Sequence, residues 1–207
     1  MARPRRLPLP ESFYARPTLA VARDLLGCIV ARRFPDGEVL RGRIVETEAY
    51  VGEEDKACHA RAGRTPRTAP LYGRPGIAYV YLTYGMHHLL NAVTEREGFP
   101  AAVLIRAAEP LEGLPRMARA RGTDRAHLLT SGPAKLCQAL GLDLRQNESD
   151  LAGKVIWIES GDAVPDRVVA TSPRIGCQTA TPPWDRIPWR WFLKDNPFVT
   201  PGRAART

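Results

Sequence analysis

The sequence predicts one α+β domain, and three observations support this fold class. The chain has 207 residues, 44% of them hydrophobic, which is enough to bury the core of one domain or at most of a small pair. Runs of alternating apolar residues occur in pairs separated by turn residues, as in β-hairpins. Shorter runs with helical spacing lie between them, and we find no repeat, low-complexity block or linker that would divide the chain.

The N-terminal half is predicted to hold an arm, one helix and two hairpins. Residues 1–16 are rich in Pro and Arg and indicate a basic, irregular arm, after which the single domain would span 17–207. Apolar residues at helical spacing predict a helix over 18–26 that stops at Gly27. Turn residues at 35–37 and 84–86 predict two hairpins, with strands at 28–34, 38–50, 77–83 and 89–94.

A long polar loop separates the two hairpins. Residues 52–76 contain four glycines and three prolines among many charges, and we expect at most one helical turn there. Loops of this length in compact domains are usually functional or disordered, so this loop is a candidate part of a site.

The C-terminal half is predicted to continue with strands at 101–107, 154–159 and 167–171 and a helix at 110–121. Ser131-Gly132-Pro133 is typical of a helix start, and Gly141 would end that helix after residue 140. The tail is rich in Trp and Pro, so we expect it to pack against the domain.

The composition indicates a polyanionic partner. The formal net charge is +8, and the basic residues are four lysines and 26 arginines. Arginine binds phosphate through a bidentate fork, which suits nucleic acid, although codon bias in a GC-rich genome would also favour arginine over lysine. No apolar run approaches the length of a membrane span, and none follows the basic N-terminus. We therefore expect a cytoplasmic protein without a secretion signal.

The four cysteines do not form a zinc-binding pattern. Cys28, Cys58, Cys137 and Cys177 are far apart in the chain and include no C-x-x-C pair. Free thiols in a reducing compartment are therefore expected.

The segment 41–50 carries the first candidate catalytic residues. Successive side chains of a strand alternate between its faces, which would place Ile44, Glu46, Glu48 and Tyr50 on one face. This face begins apolar and ends with two carboxylates and an aromatic ring, a pattern that suits a strand entering a pocket. The alternative is that both glutamates pair with nearby arginines on a solvated face.

Aromatic residues and a histidine are the other candidates. Tyr79 and Tyr81 would share one strand face, where core packing is the plain interpretation, whereas Tyr84 lies at the hairpin turn. An exposed aromatic ring beside a basic surface can wedge into a base stack. His59 lies in the polar loop, where a single histidine is more often a surface residue than a catalyst.

Several longer motifs follow one another along nearly the whole chain. They include Arg-Gly-Arg-Ile-Val-Glu-Thr-Glu-Ala-Tyr at 41–50, Gly-Glu-Glu-Asp-Lys-Ala-Cys-His at 52–59, Thr-Pro-Arg at 65–67, Tyr-Gly-Met at 84–86, Val-Leu-Ile-Arg-Ala-Ala-Glu-Pro-Leu-Glu-Gly at 103–113, Ser-Gly-Pro-Ala-Lys-Leu-Cys-Gln-Ala-Leu at 131–140 and Pro-Arg-Ile-Gly at 173–176. In this order and spacing they resemble the alkyladenine (methylpurine, 3-methyladenine) DNA glycosylase family.

The resemblance implies both a fold and a site. The fold is expected to be similar to the C-terminal domain of formyltransferase, with a curved, largely antiparallel sheet and flanking helices. The implied site residues are the general base Glu48, Arg106 that helps to place this base and its water, the base-pocket residues Tyr50, His59, Tyr81 and Asn91, and the DNA-intercalating residue Tyr84.

The implied reaction is that of a monofunctional DNA glycosylase. Such an enzyme, acting as a monomer on double-stranded DNA, flips a damaged purine out of the duplex and hydrolyses its N-glycosidic bond, leaving an abasic site. Alkylated purines are the implied substrates, and the sequence leaves open whether deaminated or etheno purines are removed too. No cofactor or metal is implied, and no lysine among the matched pocket residues could support a Schiff-base lyase step.

Two departures from the family pattern lie beside the implied site. Thr68 stands where Asn is common, and His87 and His88 fill a turn that is often aromatic. Both departures affect the expected substrate range more than the type of reaction.

Two other classes of function remain as alternatives. A nucleic-acid-binding module without catalysis would explain the charge, but not a carboxylate beside an aromatic face. A metal-dependent hydrolase would have to combine His59, His87, His88 and Glu46, although their spacing matches no standard ligand motif.

Overall fold

The sheet is built from eight strands. In the computed structural model, which describes residues 6–200, they are β1 (Ile29–Arg33), β2 (Val39–Val51), β3 (Ala78–Thr83), β4 (His87–Val93), β5 (Ala101–Glu112), β6 (Ile156–Glu159), β7 (Val169–Ser172) and β8 (Arg190–Leu193). Their spatial order is β3-β4-β5-β2-β1-β6, and β8 pairs with both β2 and β7. The pairings between these strands are antiparallel.

Strands β2 and β5 form the centre of the sheet. They pair from Arg41 opposite Glu112 to Val51 opposite Ala101. The other edge of β2 is divided, because β1 pairs with its first half and β8 pairs with residues 46–48. Strand β8 thereby brings the C-terminal segment beside the candidate residues of β2.

Among the described residues, five short helices flank the sheet: α1 (Glu11–Tyr14), α2 (Thr18–Asp24), α3 (Leu114–Arg121), α4 (Ala126–Leu129) and α5 (Pro133–Leu140). Helix α2 packs on β2 and β5, and α5 packs on β4 and β5. The main core lies between these helices and one face of the sheet, where Val21 and Leu136 join Leu40 and Val103. The predicted class, a single α+β domain, is confirmed.

Three register shifts interrupt the pairing of β2 with β5, one between Arg41 and Gly42 and two beside Glu46. The register shifts between Ile44 and Glu46, which gives β2 one extra residue, Val45. It shifts back between Glu46 and Thr47, where Arg106 is the extra residue of β5. Bulges often occur beside active sites, where they redirect a side chain.

The bulge at Val45 changes which residues share a face. Ile44 lies in the main core together with Ala49, whose side chain points away from Glu48 by the alternation of the strand. The prediction that Ile44 shares a face with the glutamates is therefore wrong. One extra residue moves every later side chain to the opposite face of the sheet.

Most predicted elements are confirmed, but several ends differ. Strand β5 continues to Glu112 because Glu112 pairs with Arg41, so α3 begins at Leu114 rather than at residue 110. The N-cap of α5 is Gly132 rather than Ser131, and no side chain caps the helix. Strand β8 was not predicted, and the loop 52–76 holds two 3-10 turns, at 59–62 and 69–72.

Part of the predicted arm lies within the domain. Helix α1 buries Tyr14 completely, and the N–H of Leu9 donates to the carbonyl of Ile158 at 2.8 Å. Residues 1–5 of that arm lie outside the described residues.

The four cysteine side chains are buried and unpaired, as predicted. Within the described part of the chain, no helix has both the length and the apolar character that are needed to cross a bilayer.

Candidate active site

A cavity of about 360 Å³ opens beside the centre of the sheet. Its walls come from β2, β5, the β3–β4 hairpin and the segments around 57–59, 133–134 and 175–177. The side chains that line it include six of the predicted site residues: Tyr50, His59, Tyr81, Tyr84, Asn91 and Arg106. The seventh, Glu48, contacts three of the lining residues from below.

Glu48 is fully buried under the floor of this cavity. Its Oε2 accepts a hydrogen bond from the Tyr50 hydroxyl at 2.8 Å and lies 3.2 Å from a terminal nitrogen of Arg106. Its Oε1 accepts the backbone N–H of Ile175 at 2.7 Å. Burial and the neighbouring Glu48 carboxylate raise the pKa of Tyr50 well above its ordinary value, so this hydroxyl keeps the proton that it donates. A buried carboxylate needs such partners, and Glu48 has three.

Arg106 lies between two carboxylates. Its Nε donates to Oε1 of Glu46 at 2.9 Å, while a terminal nitrogen faces Glu48. Burial opposes the charge of the guanidinium, but Glu48 and Glu46 outweigh burial and raise the pKa of Arg106. Both glutamates do pair with arginine, as the alternative interpretation held, but they do so on a buried face and not on a solvated one.

Three aromatic rings form one wall of the cavity. His59 lies edge-on to Tyr81 with ring centroids 4.5 Å apart, and Tyr79 follows with its centroid 5.2 Å from that of Tyr81. Nδ1 of His59 lies 3.1 Å from the hydroxyl of Tyr79. Burial, followed by Arg67 and Arg61, lowers the pKa of His59 to about 4. The imidazole is therefore neutral at pH 7, and the wall places no positive charge against a ligand.

Asn91 presents a hydrogen-bond acceptor to the cavity. Its Nδ2 donates to the carbonyl of Tyr79 at 3.0 Å. A carbonyl only accepts, so the amide nitrogen has to face it, and Oδ1 is left for a ligand. Within residues 6–200, no group donates to this oxygen.

Tyr84 projects from the tip of the β3–β4 hairpin. The side chain is 89% exposed, and that of Met86 beside it is 70% exposed. The backbone of Tyr84 has a positive φ of 50°, and Gly85 follows with a φ of 70°. A Cβ at Gly85 would meet nothing within 4 Å, so the tip is open to an approaching molecule. Tyr84 therefore does not pack under the hairpin.

Cationic side chains lie beside the cavity, since Lys56, Arg61 and Arg67 line a neighbouring depression that shares residues 57–59 with it. Lys56, Arg61, Arg64 and Arg67 belong to the loop 52–76, and all four are exposed. In the part of the chain that the structure describes, none of them forms an ion pair. An unneutralised cationic rim attracts a polyanion.

A buried ion pair supports the cavity from beneath and was not predicted. Arg174 donates two hydrogen bonds to Asp55, at 2.5 and 2.8 Å, and both side chains are fully buried. The guanidinium lies over the rings of Tyr50 and Trp189, and it also donates to a backbone carbonyl at 2.9 Å. The motifs at 52–59 and 173–176 were the sequence signals for this contact, which fixes the backbone that donates to Glu48.

The metal-dependent alternative requires a cluster of ligands. Among residues 6–200, no group of three or more His, Cys, Asp or Glu side chains could hold a metal ion. Glu46, one of the ligands in that hypothesis, instead binds Arg106 and Arg190.

A cavity with a buried carboxylate, aromatic walls and a cationic rim is typical of enzymes that act on an extruded nucleic-acid base. Comparison with known proteins narrows this class to the DNA glycosylases. Residues 12–197 match the methylpurine-DNA glycosylase family, and the chain belongs to this family.

Three relatives show how far the similarity extends, and each is provisionally named a 3-methyladenine DNA glycosylase. The protein of Chlorobaculum parvum is 47% identical over 94% of this chain and 91% of its own length. That of Myxococcus xanthus is 48% identical over 94% of both chains. That of Methanocella arvoryzae is 50% identical over 93% of this chain and 95% of its own.

Proposed function

We propose that this protein excises alkylated purines, such as 3-methyladenine, from double-stranded DNA by base flipping and hydrolysis. The observation that carries the proposal is the buried Glu48 carboxylate, held by two hydrogen bonds and an ion pair beneath an aromatic cavity. A base inside a duplex is out of reach, so the nucleotide has to leave the stack to enter this cavity.

Binding to DNA uses the rim and the hairpin tip. The four free cations of the loop 52–76 bind phosphates and set the register without reading the sequence. Tyr84 fills the gap in the base stack that the extruded nucleotide leaves. Unstacking costs a few kcal/mol, and the inserted ring offsets part of this energy.

The cavity favours a cationic base. A purine alkylated at N3 or N7 carries a positive charge, and the faces of Tyr50 and Tyr81 attract it by about 0.5–2 kcal/mol each. The neutral imidazole of His59 adds no repulsion. The Oδ1 of Asn91 accepts a hydrogen bond from the edge of the base.

The reaction is hydrolysis at C1′. Oε1 of Glu48 accepts one hydrogen bond from Ile175, which leaves a lone pair for a water molecule. This water attacks C1′ and gives its proton to Glu48 while the bond between C1′ and the base nitrogen breaks. The electrons of that bond neutralise the cationic base, so no strong general acid is required. The carboxylate also stabilises the oxocarbenium character of the sugar.

Several finer features belong to this proposal. Excision of hypoxanthine or ethenoadenine would extend the lesion range to neutral bases, for which the cationic driving force is absent. We also expect a monomer, and the topology of the formyltransferase C-terminal domain.

The test is excision of single lesions by the purified protein. Duplexes that carry 3-methyladenine, 7-methylguanine, hypoxanthine or ethenoadenine are incubated with excess enzyme, and released bases are separated by chromatography. The proposal requires release of at least one methylated purine. Binding without release would instead support a DNA-binding module.

A further inference from the structure

Glu46 is enclosed by donors on both of its oxygens. Oε1 accepts from Nε of Arg106 at 2.9 Å and from Nε of Arg190 at 2.7 Å. Oε2 accepts the backbone N–H of Thr200 at 2.8 Å. Glu46 is fully buried, and of its three partners only Arg106 lines the cavity, whereas all three partners of Glu48 do. Glu46 therefore lies farther from a substrate than Glu48.

Arg190 ties this carboxylate to the C-terminal segment. One of its terminal nitrogens donates to the hydroxyl of Ser172 at 3.0 Å, and the other to the carbonyl of Thr200 at 3.1 Å. Strand β8 pairs with residues 46–48 of β2, and this register sets Arg190 opposite Glu48 and Phe192 opposite Glu46. The Arg190 side chain therefore reaches Glu46 diagonally, two residues along the same face of the sheet. All the side-chain nitrogens of Arg190 are therefore bound.

The buried groups alternate in sign in the order Glu48, Arg106, Glu46, Arg190. Arg106 contacts a carboxylate on each side, and Glu46 contacts a guanidinium on each side. Removal of Arg190 would leave one guanidinium for two carboxylates, whereas removal of Glu46 would leave two guanidiniums for one. Uncompensated charge in a buried site acts strongly on the neighbouring ionisable groups.

Resting on the proposed function, we propose that Glu46 and Arg190 are positioning residues for the glycosylase reaction. Together they hold Arg106 in the orientation that aims Glu48 at the cavity, and they balance the charge of the buried groups around it. The C-terminal segment at Thr200 is the structural anchor of this pair.

An acidic limb of the rate–pH profile can come from the buried carboxylates or from His59 of the cavity wall, whose pKa is lowered to about 4. His59 lies outside the chain of buried charges, so its contribution should be the same in every variant, and a difference between variants reports the carboxylates. The titratable or charged groups that face Glu48 come from four strands and one loop segment. They are Glu46 and Tyr50 of β2, Tyr81 of β3, Arg106 of β5, Arg190 of β8, and Arg174 and Cys177 of the segment at 174–177. Burial raises the pKa of Tyr50, Tyr81 and Cys177, so these groups stay protonated through neutral pH.

The experiment measures the single-turnover rate of base release from methylated duplex DNA as a function of pH. Deleting one charge should move the acidic limb by about one pH unit, the size expected for a nearby charge in a buried site. The limb moves to higher pH in Arg190→Met and to lower pH in Glu46→Gln. In the double variant the charges cancel, so the limb returns to its wild-type position while the maximal rate stays at least tenfold lower.

Controls separate positioning from folding. Arg43→Met breaks an Arg–Glu pair with Glu109 on the same strands away from the cavity, and it should leave the profile unchanged. Arg190→Gln keeps hydrogen-bonding groups and serves as a second neutral variant, while Arg190→Lys keeps the charge and should keep the limb. Thermal melting and affinity for an abasic-site duplex report whether each variant is folded.

Three results would overturn the proposal. The first is an unmoved limb in folded single variants, and the second is a shift of both single variants in the same direction. The third, decisive even if no single variant folds, is a folded double variant with the wild-type rate. Absence of base release by the wild-type protein would contradict the proposed function itself, which distinguishes the two failures.

Discussion

Replacing Glu48 with Gln is the change that acts most directly on the proposed chemistry. The amide has one acceptor oxygen in place of a carboxylate that accepts two hydrogen bonds and pairs with Arg106. If this oxygen keeps the N–H of Ile175, the amide NH₂ faces Arg106, which cannot accept a hydrogen bond. The variant should lose about 1–3 kcal/mol of stability, the range for a buried donor left unsatisfied, because Arg106 still has Glu46.

The effect of this variant on catalysis should be much larger than its effect on binding. An amide cannot take the proton of the attacking water, so the rate of base release should fall at least 10²-fold, the lower end for a positioned general base. Lesion binding should be retained, since the change removes a negative charge near DNA. Single-turnover excision and affinity for the lesion duplex are measured at a temperature at which the variant is folded.

Glu109→Gln is the matched control for Glu48→Gln. It makes the same chemical change on β5, outside the cavity, and should leave excision unchanged. Excision by Glu48→Gln within tenfold of the wild-type rate would refute the assignment of the base. Glu46 is poorly placed to take over this role, because two of its three partners, Arg190 and Thr200, lie outside the cavity lining.

Three further predictions concern the wedge, the histidine and metal. Tyr84→Ala should weaken binding to a lesion duplex by about 1–3 kcal/mol, and the loss should be smaller at a mismatched site. The melting temperature should stay unchanged, because the ring is exposed. A lower melting temperature together with equal losses on both duplexes would mean that Tyr84 is a core residue. The lowered pKa of His59 predicts that an NMR titration of its ring has a midpoint near 4. Below the ordinary pKa of about 6.5, His59 binds a proton in the unfolded chain but stays neutral in the folded chain. The free energy of unfolding should therefore fall as the pH is lowered from about 6.5 to about 4, and it should fall less in His59→Gln. A titration midpoint near 6.5 would contradict the argument that burial lowers this pKa. Excision should be insensitive to EDTA. Inhibition by EDTA that added zinc reverses would show that the reaction depends on a metal ion.

The hairpins and the strand–helix order were predictable from the sequence because they depend on local patterns. Alternating apolar residues and the turn at Tyr84 and Gly85 specify neighbouring strands directly. The bulge at Val45 was not predictable, because it depends on the register against β5 and leaves no local mark in the sequence. Its consequence, the placement of Ile44 on the opposite face from Glu48, could be seen only in the structure.

The candidate site divides in the same way. Residues on one strand, such as Glu48 and Tyr50, were found from their alternation, and their partners on distant segments were named through motif resemblance. Arg190 was missed because it lies in a tail rich in Trp and Pro, where no pattern predicted a strand. Its role follows from the pairing of β8 with β2, a contact between segments that are far apart in sequence.

The most direct measurement for the whole account is a product analysis of the wild-type reaction. Duplex DNA with one 3-methyladenine is incubated with the purified protein, and the base fraction and the DNA strand are analysed separately. The account predicts free 3-methyladenine and an unbroken strand that is cleaved at the lesion position only after hot alkali. A lesion that stays attached to the strand, or a strand broken at that position without alkali, would contradict the account.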